Sequence, residues 1–168
     1  MQNGRLFSGD IFSNIVISAP ELTMDEAWEA AELAGMKEDI EAMPMGMYTM
    51  ISEGMGGISG GQRQRLSIAR ALAADARAYL FDDSFSALDY STDAKLREGL
   101  ARQMKGRTLL IVAQRIATIM HADRIVVLED GRVVGTGTHG ELMGACPAYR
   151  QIALSQLSPA ELEKGGAR

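Results

Sequence analysis

With 168 residues the chain is long enough for one domain, or a domain with a subdomain, around a real hydrophobic core. Its net charge of -5 argues against a nucleic-acid-binding face, and its one cysteine, Cys146, cannot form an internal disulfide, which fits a reducing compartment. No apolar run of about twenty residues is there to cross a bilayer, and Gln2-Asn3-Gly4-Arg5 leads into nothing like the apolar core of a signal peptide.

Residues 21–50 read as helical. Thr23 and Glu26 form a capping box, in which each side chain bonds the other residue's backbone N–H, and Ala27, Trp28, Ala30, Ala31 and Ala34 supply one face. Gly35 stops this helix, and a short second one over Glu38–Met43 ends at Pro44. The cluster Met43, Met45, Met47, Met50 and Met55 suggests flexible apolar packing at a domain contact. A Cu(I) site is disfavoured because no Cys or His lies among these thioethers.

Next comes Ile58-Ser59-Gly60-Gly61-Gln62-Arg63-Gln64-Arg65. Ser59 and Gln62 repeat the capping-box spacing at the head of a helix running to Ala73. Gly60 and Gly61 carry no Cβ, so an anion could approach the free amides and the positive end of the helix dipole. Tyr79-Leu80-Phe81-Asp82-Asp83 is an apolar run ending in acid, the pattern of a buried parallel strand that presents a carboxylate at its C-terminal tip. In open α/β sheets, ligands bind at such tips.

A helix over Ser91–Met104 follows, with Leu96 and Leu100 one turn apart, and then a second buried strand, Thr108–Val112, leading to Ala113-Gln114-Arg115. A third strand, Ile125–Leu128, is joined through the turn pair Asp130-Gly131 to Val133-Val134. Thr138 and Glu141 make one more capping box, placing His139 at a helix start in a structural role. Ala148–Leu157 reads as a helix, with a last short one opening at Ser158-Pro159 and a frayed end after Gly165.

Taken in order, these motifs resemble the nucleotide-binding domain of ATP-binding-cassette (ABC) exporters. Ile58–Arg65 matches the signature loop, with Ile58 where Leu is usual; Tyr79–Asp83 matches the Walker B strand; Ser86-Ala87-Leu88-Asp89 matches the D-loop; Gln114 occupies the switch position. Gln2 with Leu6–Ile15 resembles the Q-loop region, and Glu53 falls where an acid faces the coupling segments of a membrane domain. The resemblance implies an α/β P-loop NTPase fold, with an incomplete parallel-sheet core and an inserted helical subdomain. Its parts would be a Q-loop region at 1–20, a helical subdomain at 21–57, a signature helix and ATPase core at 58–145, and a helical tail at 146–168. The phosphate-cradling G-x-x-x-x-G-K-[ST] loop does not occur, so the expectation is the C-terminal part of a longer cassette polypeptide.

The family pairs two cassettes head to tail around ATP. The resemblance therefore implies that Ser59, Gly60, Gly61 and Gln62 close on nucleotide held by a second cassette, that Asp82 and Gln2 attend Mg²⁺, and that Asp89 links the sites. Further partners would be the coupling helices of a membrane domain, at the cytoplasmic face of the plasma (inner) membrane, and no nucleic acid. Active members carry Glu after the Walker B acid and His at the switch, where this chain has Asp83 and Gln114. Asp83 is one methylene shorter, and Gln114 cannot become cationic. The pattern resembles the degenerate subunit of heterodimeric exporters, binding ATP at its own site and hydrolysing it slowly. Residues 81–100 and 113–115 resemble multidrug exporters, whereas 2–54 resembles peptide exporters, so cargo is not legible. Other readings are a purely regulatory ATP-holding half and a soluble cassette ATPase.

Overall fold

The computed structural model describes residues 6–52, 58–85 and 88–158, apart from the side chains at 90, 91, 95, 102 and 103. Gln2, Glu53, Ser86, Ala87 and the expected last helix fall outside the described residues. The chain forms two compact units, Met1–Val112 and Ala113–Arg168.

In the first unit, β1 (Gly9–Asp10) pairs antiparallel with β2 (Met50–Ile51). Between them lie the helices α1 (Ile11–Val16), α2 (Met24–Leu33) and α3 (Lys37–Glu41) and a single 3-10 turn at Gly46–Tyr48. The helix α4 (Gly60–Ala73) follows, then β3 (Ala78–Asp82), α5 (Tyr90–Gln103) and β4 (Thr108–Val112). The expected starts hold where local chemistry dictates them: both halves of the Thr23/Glu26 and Ser59/Gln62 capping boxes are present. In contrast, α1 was not legible. It is six residues long, and its Asp10 cap accepts from the Ser13 N–H.

The α4 helix packs against α1 and α2. Leu66, Ile68, Ala69, Leu72 and Ala73 are buried on it, and Ala27, Ala30, Ala31 and Ala34 are buried at α2 and its C-cap. The small side chains of α2 allow close helix approach, while Ile11, Ile15, Leu96 and Leu100 complete the same core.

β3 and β4 pair in parallel, as expected, with Tyr79 opposite Leu109 and Phe81 opposite Ile111. Their burial differs from expectation. Tyr79 and Phe81 are buried, but Leu80 is 66% exposed, Leu110 59% and Val112 50%. Side chains alternate across a strand, and the helices of this unit cover only one face of the pair. An uninterrupted apolar run suggested cover on both faces, whereas the described residues supply it on one.

In the second unit, α6 (Ile116–Ile119) precedes β5 (Ile125–Glu129) and β6 (Arg132–Gly137), which form an antiparallel hairpin with a bulge at Val127/Leu128. Asp130 and Gly131 both take positive φ, as a tight two-residue turn requires. The third strand thus pairs with its own neighbour; among the described residues, the parallel pairing is confined to β3–β4. Val126 and Leu128 face outward, so this strand too is buried on one side only. Two helices, α7 (His139–Ala145) and α8 (Pro147–Gln156), close a core of Ile116, Ile125, Val127, Leu142, Cys146, Tyr149 and Ala153. Gly135 lets β6 approach α7, since a Cβ there would lie 2.8 Å from Cys146 Sγ.

Candidate functional site

The turn at Ser59 is built by its own side chains. The Ser59 backbone N–H donates to Gln62 Oε1 at 2.8 Å, and the Gln62 N–H donates to Ser59 Oγ at 3.2 Å. This reciprocal cap fixes the entrance of the 14-residue α4 and leaves the glycines in its first turn. Ser59 and Gly60 are exposed. A Cβ built on Gly60 would meet nothing within 4 Å, and its φ is not positive. Among the described residues neither packing nor backbone geometry requires glycine there, although glycine in a helix costs about 1 kcal/mol relative to alanine.

Asp82 ends β3 with an exposed side chain, at the strand tip as anticipated. Asp83 follows in the left-handed region at φ 49°, a conformation Asp tolerates better than most residues. Its N–H donates to the Val112 carbonyl at 3.0 Å, carrying the strand pairing one residue further. Its carbonyl accepts from Gln64 Nε2 at 3.1 Å, which ties the strand end to α4. Sequence reasoning assigned no role to Gln64, because its partner lies 19 residues away with no periodic signal between them.

Asp89 serves locally as a cap for α5. It accepts from the Thr92 N–H at 3.0 Å and from the Thr92 hydroxyl at 2.6 Å. Gln114 lies in the second unit, between β4 and α6, with its side chain exposed. Its backbone is held by Gln156 of α8. Gln156 Nε2 donates to the Gln114 carbonyl at 2.9 Å, while Gln156 Oε1 accepts from the Ile116 N–H at 2.8 Å. Sequence reasoning did not find this clamp either.

The first unit therefore brings the Ser59 turn and the Asp82-Asp83 strand end onto one framework, whereas Gln114 belongs to the second. Among the described residues no group of three or more His, Cys, Asp or Glu is arranged to hold a metal. The carboxylate of Asp82 is an exposed hard oxygen donor of the kind Mg²⁺ accepts alongside waters and phosphates. His139 is buried, with Nδ1 2.8 Å from the Tyr149 hydroxyl, in the structural role anticipated. Burial, and secondarily His121, lowers its pKa, and burial pushes that of Tyr149 up to about 12.

A parallel β pair ending in acid and tied to a capped Ser-Gly-Gly helix fits the P-loop NTPase fold of the ABC type, which the comparisons with known proteins show for this chain. Residues 5–86 match the ABC transporter family. A lipid A-core flippase of Albidiferax ferrireducens is 43% identical over 156 residues, covering 92% of this chain and 27% of the relative. The alpha-hemolysin translocation ATP-binding protein HlyB of Escherichia coli O157:H7 is 40% identical over 143 residues, covering 85% and 20%. The solved structure of a bacterial Atm1-family ABC exporter with ATP bound superposes with a TM-score of 0.87 at 30% identity, covering 95% of this chain and 28% of that one. The chain belongs to the ABC transporter family as an ATP-binding domain of the exporter type. It spans between a fifth and about a quarter of the length of the curated relatives just named. No helix among the described residues is long and apolar enough to cross a membrane.

Proposed function

We propose that this chain is an energy-coupling ATPase module of a membrane exporter, working opposite a second cassette at the cytoplasmic face of the plasma (inner) membrane. The observation that carries this reading is the Ser59 turn. It is a capped helix start at which a Cβ on Gly60 would meet nothing among the described residues, which suits a glycine kept open for something that arrives from outside. The terminal phosphate of ATP seated on the partner cassette suits free amides, a serine hydroxyl and a helix N-terminus. In this reading Ser59, Gly60, Gly61 and Gln62 complete the partner's site.

The site on this chain's own Walker B strand would use Asp82, with Gln2, to hold Mg²⁺, which supplies charge neutralisation at the phosphates. Asp83 stands where a base would orient water, and Gln114 where a switch residue would contact the γ-phosphate. Asp83 is short for the task and Gln114 cannot carry a proton, so this site holds ATP and turns it over slowly. That asymmetry favours a heterodimer whose partner bears Glu and His. In this reading Asp89, whose carboxylate accepts from the Thr92 N–H at the start of α5, relays the state of one site to the other. Coupling helices of a membrane domain complete the assembly.

The test is ATPase activity of the complete assembly carrying Asp83→Glu together with Gln114→His. Restoring a base and a proton carrier should raise turnover at this site by about 10²–10⁴, on the order of 3–5 kcal/mol of barrier. Unchanged turnover would reject the slow-site assignment.

A further inference from the structure

Asp39 of α3 reaches across to α4. Its Oδ1 accepts from Gln62 Nε2 at 2.7 Å, and its Oδ2 accepts from Arg65 Nη2. Gln62 is the same residue whose Oε1 accepts the Ser59 N–H. The three contacts form a chain with one direction of polarity. A carboxylate can only accept, and Arg can only donate. Asp39 therefore admits Gln62 only with the amide NH₂ turned toward it, which leaves Oε1 toward the Ser59 N–H. Arg65 and Asp39 are mostly shielded, with side chains 14% and 28% exposed, so water competes weakly for these bonds.

We infer that Asp39 is a positioning residue for the Ser59–Gln62 turn: its charge selects the Gln62 amide orientation that closes the capping box. That the turn engages nucleotide rests on the function proposed above. That Asp39 sets the turn does not.

The polarity makes a specific prediction. In Asp39→Asn, one end of the side chain becomes a donor. Whichever way the new amide and that of Gln62 turn, two donors meet somewhere along the chain, at Arg65, at Gln62 or at Ser59. In Gln62→Glu, two carboxylates face each other. In the double variant Asp39→Asn with Gln62→Glu, every contact is satisfied again. The asparagine oxygen accepts from Arg65, its NH₂ donates to the introduced carboxylate, and that carboxylate accepts from the Ser59 N–H. The net charge is unchanged, so simple electrostatic bookkeeping cannot account for a rescue.

The experiment is residue-resolved amide hydrogen exchange on the 168-residue chain without nucleotide, with urea unfolding as the control for global stability. With Arg65 holding the asparagine oxygen, Asp39→Asn turns its NH₂ to Gln62. A Gln62 amide that flips to accept it gives up the Ser59 N–H, whose exchange should speed by about fivefold, the scale of one lost hydrogen bond. Gln62→Glu keeps an acceptor for that N–H and loses only the Asp39 contact, and the double variant should restore the native rate. Native exchange at Ser59 in Asp39→Asn overturns the inference. So does a double variant that exchanges no more slowly than Asp39→Asn, or an acceleration spread evenly over the first unit. Because no nucleotide is present, failure here leaves the ATP reading standing, and failure of that reading would leave this result untouched.

Discussion

Asn14 offers a direct check on what ties α1 to the segment that leads into it. It is fully buried, and three hydrogen bonds satisfy it. Nδ2 donates to the carbonyls of Phe7 and Asp10, both at 2.9 Å, and Oδ1 accepts from the Phe7 N–H at 2.9 Å. Asn14→Ala removes all three and leaves a small void. At a net ~1 kcal/mol per bond the loss is about 3 kcal/mol, a large share of the ~5–15 kcal/mol that holds a typical domain. Asn14→Asp keeps the acceptor for Phe7 but turns an anion toward two carbonyl oxygens, so it should cost at least as much despite its near-identical shape. The assay is urea unfolding followed by Trp28, the single tryptophan, which packs against the core of this unit. With an m-value of ~2 kcal/mol/M, the midpoint should fall on the order of 1.5 M at unchanged slope. A loss below ~0.5 kcal/mol, the scale of ordinary surface changes, would refute the reasoning.

Three further outcomes are expected. Burial lowers the pKa of His139, so the unfolded chain binds more protons than the folded one just below the ordinary histidine value. The second unit is thus most stable above about pH 6.5 and loses stability as pH falls through that value; His139→Phe should flatten this slope in pH-dependent thermal unfolding, and an unchanged slope would contradict the assignment. Gln156→Leu removes both bonds to the backbone at Gln114 and Ile116 and should raise exchange at the Ile116 amide about fivefold or more; native exchange there would show that the clamp contributes nothing. Ser59→Ala removes the cap of α4 and should destabilise the first unit by about 1 kcal/mol in urea unfolding, and a neutral result would count against the capping geometry.

What the sequence revealed follows the range of the interactions involved. Thr23/Glu26, Ser59/Gln62 and Thr138/Glu141 join residues only three positions apart, and each is present with both of its bonds. The Asp130-Gly131 turn was equally local. The apolar runs located β3, β4 and β5 but misled on burial. A run apolar on both sides says that both faces can be covered, not that this chain covers them, and Leu80, Leu110 and Leu128 are exposed. The short α1 and α6 carry too little periodicity to stand out. Asp39, Gln64 and Gln156 escaped because their partners lie 19 to 42 residues away, and nothing in local sequence marks a side chain for such a partner. The capped turn at Ser59 and the acidic strand end at Asp82 were legible, whereas the long-range contacts from Asp39 and Gln64 that brace them were not.

The measurement that bears most directly on the central claim is Gly60→Asp. The space around Gly60 is open, and an acid in the first turn of a helix is favourable by about 0.3–1 kcal/mol, so the chain should unfold at an equal or higher urea midpoint. On the proposed function the same carboxylate would face a phosphate held by a second cassette, and ATP turnover at that site in the complete assembly should drop by about 100-fold or more. A stable chain with lost turnover is the predicted result; a stable chain in an assembly that hydrolyses ATP at its native rate would contradict the account.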